Sequence, residues 1–185
     1  MKRIFLLLIV VCLLCGCEKK GPEYLVSSIG FDSDGEEYNV SFEAIIINSE
    51  NTEQTLKVLK GKGETIDEAV KEIDRQCTQP LLLSHCGVII IGDGITRKQF
   101  SDIKSYCYSR DPITLSAFFI KSKNAQKLLS AKPLSSACVG YDIMGLLKQN
   151  KQYKNRFFEV ISNEYNTVLP RIELGKEGLY FESGN

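Results

Sequence analysis

The chain has one histidine, no excess of either charge, and no apolar run long enough to cross a membrane as a helix. Each shortage excludes a class of function. With 23 basic and 23 acidic residues, no basic face is forced, so nucleic acid is not an expected partner. His85 lies beside Cys86, but activating a thiolate requires the two side chains to meet. Neighbours in a strand point to opposite faces. A metal site from Cys77, His85 and Cys86 would need a further ligand at tetrahedral spacing, and none is present. Gly92-Asp93-Gly94 follows a strand-like run without the Gly-Lys-Ser/Thr or Gly-x-Gly-x-x-Gly pattern of a phosphate loop, and reads as a tight turn. No Gly-x-Ser-x-Gly occurs, and the carboxylates are scattered as expected of caps and solvated faces. No catalytic residue, cofactor or metal site is assigned, and an enzyme is not expected.

What the N-terminus has is more specific. Lys2 and Arg3 precede Ile4 to Leu14, about eleven almost wholly apolar residues, followed by Leu14-Cys15-Gly16-Cys17. The run suits the core of a signal peptide and falls short of the roughly 20 residues of a spanning helix. The last four residues form a lipobox. Small residues at Cys15 and Gly16 let the extended backbone enter a peptidase, with cleavage between Gly16 and Cys17. The Cys17 sulfur is then the site of diacylglycerol attachment. Two acyl chains, at about 0.8 kcal/mol per buried methylene, hold a soluble domain firmly. Charge, length and cysteine position favour this reading over an uncleaved anchor helix. Residues 1–16 are expected to be a lipoprotein signal peptide, 17–23 a lipidated tether and 24–185 the folded domain, on the extracytoplasmic side.

Removal of the signal leaves 169 of the 185 residues, with 21 basic against 23 acidic. That is enough for one domain with a real core. Of the seven cysteines, Cys77, Cys86, Cys107 and Cys138 then remain besides Cys17. The location permits disulfides, yet all four sit in apolar or helical settings, where buried free thiols are expected. The pairing state stays open from sequence.

Tyr24 to Phe31 and Glu37 to Ile47 read as a hairpin across Asp32-Ser33-Asp34-Gly35-Glu36, with one buried face in the second strand. Thr55 to Lys62 follows as a strand with Leu56, Val58 and Lys60 on one face. Thr65 and Glu68 form a capping box ahead of the stripe Ile66, Ala69, Val70, Ile73 and Cys77. Val88 to Ile91 suits a central strand buried on both faces. Thr96 caps a helix carrying Phe100, Ile103 and Cys107. Ile113 to Ile120 reads as a strand, and Asn124 caps a short helix through Leu129. Asp142 to Gln149 and Arg156 to Asn163 read as helices, the latter with Phe157, Phe158 and Ile161 apolar. Ile172 to Leu174 and Leu179 to Phe181 flank a hairpin turn. The alternation predicts an α+β, mixed α/β fold: a central mixed β-sheet with helices packed on it.

Several stretches in order resemble one family. Gly63-Glu64-Thr65-Ile66-Asp67-Glu68-Ala69, Ser84-His85-Cys86-Gly87-Val88-Ile89-Ile90-Ile91-Gly92, Ser109-Arg110-Asp111-Pro112 and Val168-Leu169-Pro170-Arg171-Ile172-Glu173 are similar to the N-terminal domain of the Ger(x)C spore-germination lipoproteins. The lipobox and the early strand fall in the same order. The resemblance implies a non-enzymatic C subunit of a nutrient germinant receptor, lipid-anchored on the outer face of the spore inner membrane. Its implied partners are two membrane-embedded receptor subunits, of A and B type, and the lipid bilayer through acylated Cys17. Only Cys17 carries over as a functional position. The family's C-terminal domains are expected to be absent, the chain stopping where the first domain ends. The competing expectation is a lipid-anchored extracytoplasmic binding module for a small ligand or cell-wall component, with a concave apolar pocket.

Overall fold

The structure, a computed structural model, describes residues 21–48, 53–109, 113, 115–150, 155–162, 168–176 and 178–182. Its main body is a six-stranded mixed sheet. β1 (Glu23–Ser33), β2 (Tyr38–Ile47) and β3 (Gln54–Gly63) form an antiparallel meander. The other edge of β1 pairs in parallel with the two-residue β4 (Leu81–Leu82) and with β5 (Val88–Gly92). β5 in turn pairs in parallel with β6 (Phe118–Ser122), giving the order β3-β2-β1-β5-β6. β5 lies inside the sheet with all five residues buried, as its unbroken apolar run predicts.

Helices cover both faces. On one lie α1 (Ile66–Asp74), α2 (Arg97–Ser109) and, after two further helices in the chain, α5 (Phe157–Ser162). Their Ile73, Ile103 and Phe157 share a core with Phe31, Phe42 and Phe119. On the other lie α3 (Ala125–Leu129) and α4 (Val139–Gln149), with Leu129 and Ile143 against Val88, Ile90 and Ile120. The expected central mixed sheet with packed helices is what the structure shows. A short hairpin, β7 (Ile172–Gly175) and β8 (Gly178–Phe181), closes the described chain and buries Ile172 in the second core.

The helix starts follow local chemistry. Thr65 Oγ1 accepts the Glu68 N–H while Glu68 Oε2 accepts the Thr65 N–H, a complete capping box. Thr96 and Gln99 exchange the same pair of bonds at 3.0 and 3.3 Å, and Asn124 accepts the Lys127 N–H at 2.6 Å.

Tertiary packing corrects four details. In β2 both faces are buried, because Ser41, Glu43 and Ile45 lie beneath the second helical layer. In β3 the fully buried positions are Leu59 and Gly61, while Leu56 and Val58 are half-buried on the opposite face. A Cβ on Gly61 would lie 1.9 Å from the Ala69 carbonyl oxygen, so α1 rests directly on the strand backbone. The strand expected from Ile113 begins only at Phe118. The Ala117 and Leu115 carbonyls accept the Phe157 and Phe158 N–H groups at 2.8 and 3.1 Å, and pairing with β5 begins afterwards. In α5, Phe157 and Val160 face inward, whereas Phe158 is 51% exposed.

Candidate functional site

Two buried carboxylates tie the sheet to the second helical layer. Sequential alternation would put Ser28 and Gly30 on the same face as Tyr24 and Val26. A register shift between Val26 and Ser28 inserts one residue, which instead returns Ile29 and Phe31 to the core of Val26. It also presents Ser27 to Glu43. Ser27 donates to Glu43 Oε2 at 2.7 Å, Val139 N–H donates to Oε1 at 2.7 Å, and Gly140 N–H donates to Oε2 at 2.9 Å. Glu43 thereby caps α4, which starts three residues before the expected Asp142. At the far end of β1, Asp32 accepts the Ala125 and Gln126 N–H groups at 2.9 and 2.8 Å. Burial pushes its carboxyl above the usual aspartate range, opposed by those two bonds. A Cβ on Gly92 would fall 2.0 Å from Asp32 Oδ1, so only glycine lets β5 pass this carboxylate. Both acids read in sequence as a turn residue and a solvated strand face; neither is one.

The same pole of the sheet carries an ion-pair cluster. Gly92-Asp93-Gly94 is a turn closed by the Ile95 N–H to the Gly92 carbonyl at 3.1 Å. Asp93 takes both terminal nitrogens of Arg171, one of them at 2.8 Å. That bond holds its carboxyl below the ordinary range. Arg171 also reaches Glu173 at 3.4 Å and Glu182 at 3.1 Å. Glu173 in turn accepts the Lys123 N–H at 2.6 Å, so the cluster joins β5, β6 and the terminal hairpin.

Two open clefts flank α1. One, of about 820 Å³, runs between α1 and α2 and is lined by Glu36, Glu64, Asp67, Lys98 and Asp102 among others. There Tyr38 donates to Asp102 Oδ2 at 2.9 Å. Burial, helped by that carboxylate, pushes the phenol up to about 12 and keeps it a proton donor. The other, of about 780 Å³, lies at the opposite pole between Val70, Cys77, Gln79, Leu83 and Ser109. The first is ringed by charged side chains, and the second is lined by apolar side chains such as Phe42, Val70, Leu81 and Leu83 together with Asp74 and Gln79. Among the described residues, no group of three His, Cys, Asp or Glu side chains converges to hold a metal ion.

The predicted thiols are placed plainly. Cys77, Cys86, Cys107 and Cys138 are free, the last three buried and Cys77 half-buried. Ser84-His85-Cys86 is not a strand: His85 closes a 3₁₀ turn (Leu83–His85) and is exposed, while Cys86 points into the core. The pair is still separated, by a different geometry from that expected. Burial pushes the Cys86 thiol up to about 12 and that of Cys138 to about 11, and raises Cys107 further. Such thiols are poor nucleophiles at neutral pH. Gly16 and Cys17, the expected cleavage and lipidation residues, lie outside the described residues, as does Arg110-Asp111-Pro112. No helix among the described residues is long and apolar enough to cross a membrane.

The fold and its site define an α+β domain held together by sheet-borne carboxylate caps. The model of one family, described as the spore germination protein N-terminal domain, matches residues 23–174, from the first residue of β1 into β7. The chain belongs to that family of spore germination proteins. No curated protein and no solved structure matches it. A role in spore germination follows from membership.

Proposed function

We propose that the chain is a non-enzymatic, lipid-anchored subunit of a spore nutrient germinant receptor, which supports receptor assembly or function at the spore inner membrane. The observation that carries this reading is the placement of the germination domain. Its match begins at Glu23, six residues after the lipobox cysteine. In this reading residues 1–16 leave as a signal peptide and residues 17–23 form the tether. The diacylglycerol on Cys17 holds residues 24–185 at the extracytoplasmic face, where they dock on the membrane-embedded A- and B-type subunits. The domain's work is mechanical. Its helices are pinned by Glu43 and Asp32, which gives a rigid surface at a fixed distance from the bilayer.

Replacement of Cys17 by Ala tests the reading, with nutrient-triggered germination and membrane retention both followed. Loss of both is expected. Normal germination from mislocalised protein would overturn it. The competing reading, an anchored binding module, would draw on the α1–α2 cleft beside Tyr38 and Asp102. It predicts ligand affinity in the isolated protein and nutrient germination that survives deletion of the gene.

A further inference from the structure

The lipid-anchor reading leaves open which end of the domain faces the bilayer. Cys17 is four residues from Gly21, and at roughly 3.5 Å per residue an extended tether reaches no more than about 14 Å. Gly21 is seated on the domain, because a Cβ built on it would meet Gln79 Nε2 at 2.8 Å. Gln79 lines the same cleft as Leu83 and Ser109. The tether therefore leaves the pole where β1 begins, β4 sits and α2 ends. β1 has 11 residues, about 35 Å at strand rise, so the pole of Asp32 and Asp93 lies well beyond the tether's reach when the sheet stands upright.

The tethered pole also leaves large apolar side chains in water, as does the region of the terminal hairpin, where Leu134, Val168, Leu174 and Tyr180 are exposed; the reach of the tether decides which of the two meets the bilayer. Leu82 on β4 is 39% exposed and Tyr108, at the end of α2, 68%. Leu115 and Phe158 are 50% and 51% exposed, and their backbones are joined by the Phe158 N–H to the Leu115 carbonyl at 3.1 Å. Leu115 precedes the point where β6 enters the sheet parallel to β5 and β1, and the bond from Phe158 N–H holds Phe158 beside it, which puts both at the same pole. Leucine, tyrosine and phenylalanine on one exposed end are the side chains that lower their free energy at the headgroup boundary.

We propose that this pole, through Leu82, Tyr108, Leu115 and Phe158, seats in the interfacial layer of the membrane that the Cys17 lipid enters, so that the sheet stands upright with the Asp93–Arg171 pole outward. The inference rests on the lipid-anchor reading. The test uses the full chain, lipidated in a bacterial host and reconstituted in phosphatidylethanolamine–phosphatidylglycerol vesicles. In a Cys77→Ser background, Leu82→Cys, Leu115→Cys and Phe158→Cys each receive an environment-sensitive fluorophore. Leu134→Cys and Tyr180→Cys serve as controls of similar exposure, 56% and 46%, at the terminal hairpin, where Leu134 lies against Gly178. Nitroxide-bearing lipids should quench the first three labels several-fold more than the controls. Protein retained through Cys17 with all five labels quenched alike would overturn the orientation and leave the anchor standing. Protein that stays off the membrane, with Cys17→Ala changing nothing, would overturn both.

Discussion

Glu43 and Val139 stand 96 residues apart, and the Glu43 carboxylate accepts the Val139 N–H at 2.7 Å in a site with no exposure of the acid. A helix N-terminus gathers unsatisfied donors and a partial positive charge. Here the residue before the helix, Cys138, makes no side-chain cap, so a strand on the far side of the core supplies it.

Glu43→Ala leaves the Val139 and Gly140 N–H groups and the Ser27 hydroxyl without this acceptor. A loss of about 3 kcal/mol is expected, since each stranded buried donor costs about 1–3 kcal/mol. Glu43→Gln keeps one acceptor oxygen and should lose less. Urea unfolding of the two variants checks the order; equal and negligible losses would show that α4 holds without its cap.

Gly92→Ala and Asp32→Ala should be strongly non-additive. The new methyl at position 92 collides with Asp32 Oδ1, so most of its cost disappears once the carboxylate is gone. Asp32→Ala alone should cost about 2 kcal/mol through the lost cap on α3. A double-mutant cycle in denaturant reads the coupling, and simple additivity would refute the contact.

Docking of the terminal hairpin should weaken in acid. Arg171 holds the Asp93 carboxyl below its ordinary value, so the stability from this pair is present above the free aspartate pKa of about 3.9 and lost as pH falls through the lowered folded value. Asp32 acts in the opposite sense. Its raised carboxyl contributes stability that is present below the ordinary range and lost as pH rises through the folded value. Arg171→Gln, which leaves Asp32 untouched, isolates the Asp93 part. NMR signals of Leu174 and Tyr180, followed from pH 7 downward, should shift at low pH in the parent and show a smaller acid step in the variant.

Thiol chemistry should single out Cys77. It is half-buried, while Cys86, Cys107 and Cys138 are 1%, 1% and 0% exposed with thiols raised by burial. Alkylation of the folded protein followed by mass mapping should modify Cys77 first and the other three only on unfolding. Rapid reaction at Cys86 would revive a thiol role for this region.

Most of the elements were legible in the sequence because their signals are local. Capping boxes act over three residues, as at Thr65–Glu68 and Thr96–Gln99. The unbroken run Val88–Ile91 requires burial on both faces, and the turn residues around Gly35 and Gly178 mark hairpins. The spacing of Ile66, Ala69, Val70 and Ile73 likewise identified the buried face of α1. By itself the sequence determined most of the strands and helices, though not the two-residue β4, because their signals are local; the mixed sheet and the family were legible from the order of those elements and motifs along the chain.

Only the tertiary structure decided what the polar residues inside that frame do. The bulge at Ser27 reverses strand parity, which no alternation count reveals. Glu43 looks like a solvated acid and Asp32 like a turn residue until helices 93 to 97 residues downstream bring four backbone N–H groups to them. Asp93 is a turn residue until Arg171 arrives across 78 positions. In each case the donor and acceptor meet only after both cores have formed, and the desolvation that makes the contact matter is a property of the packed layers.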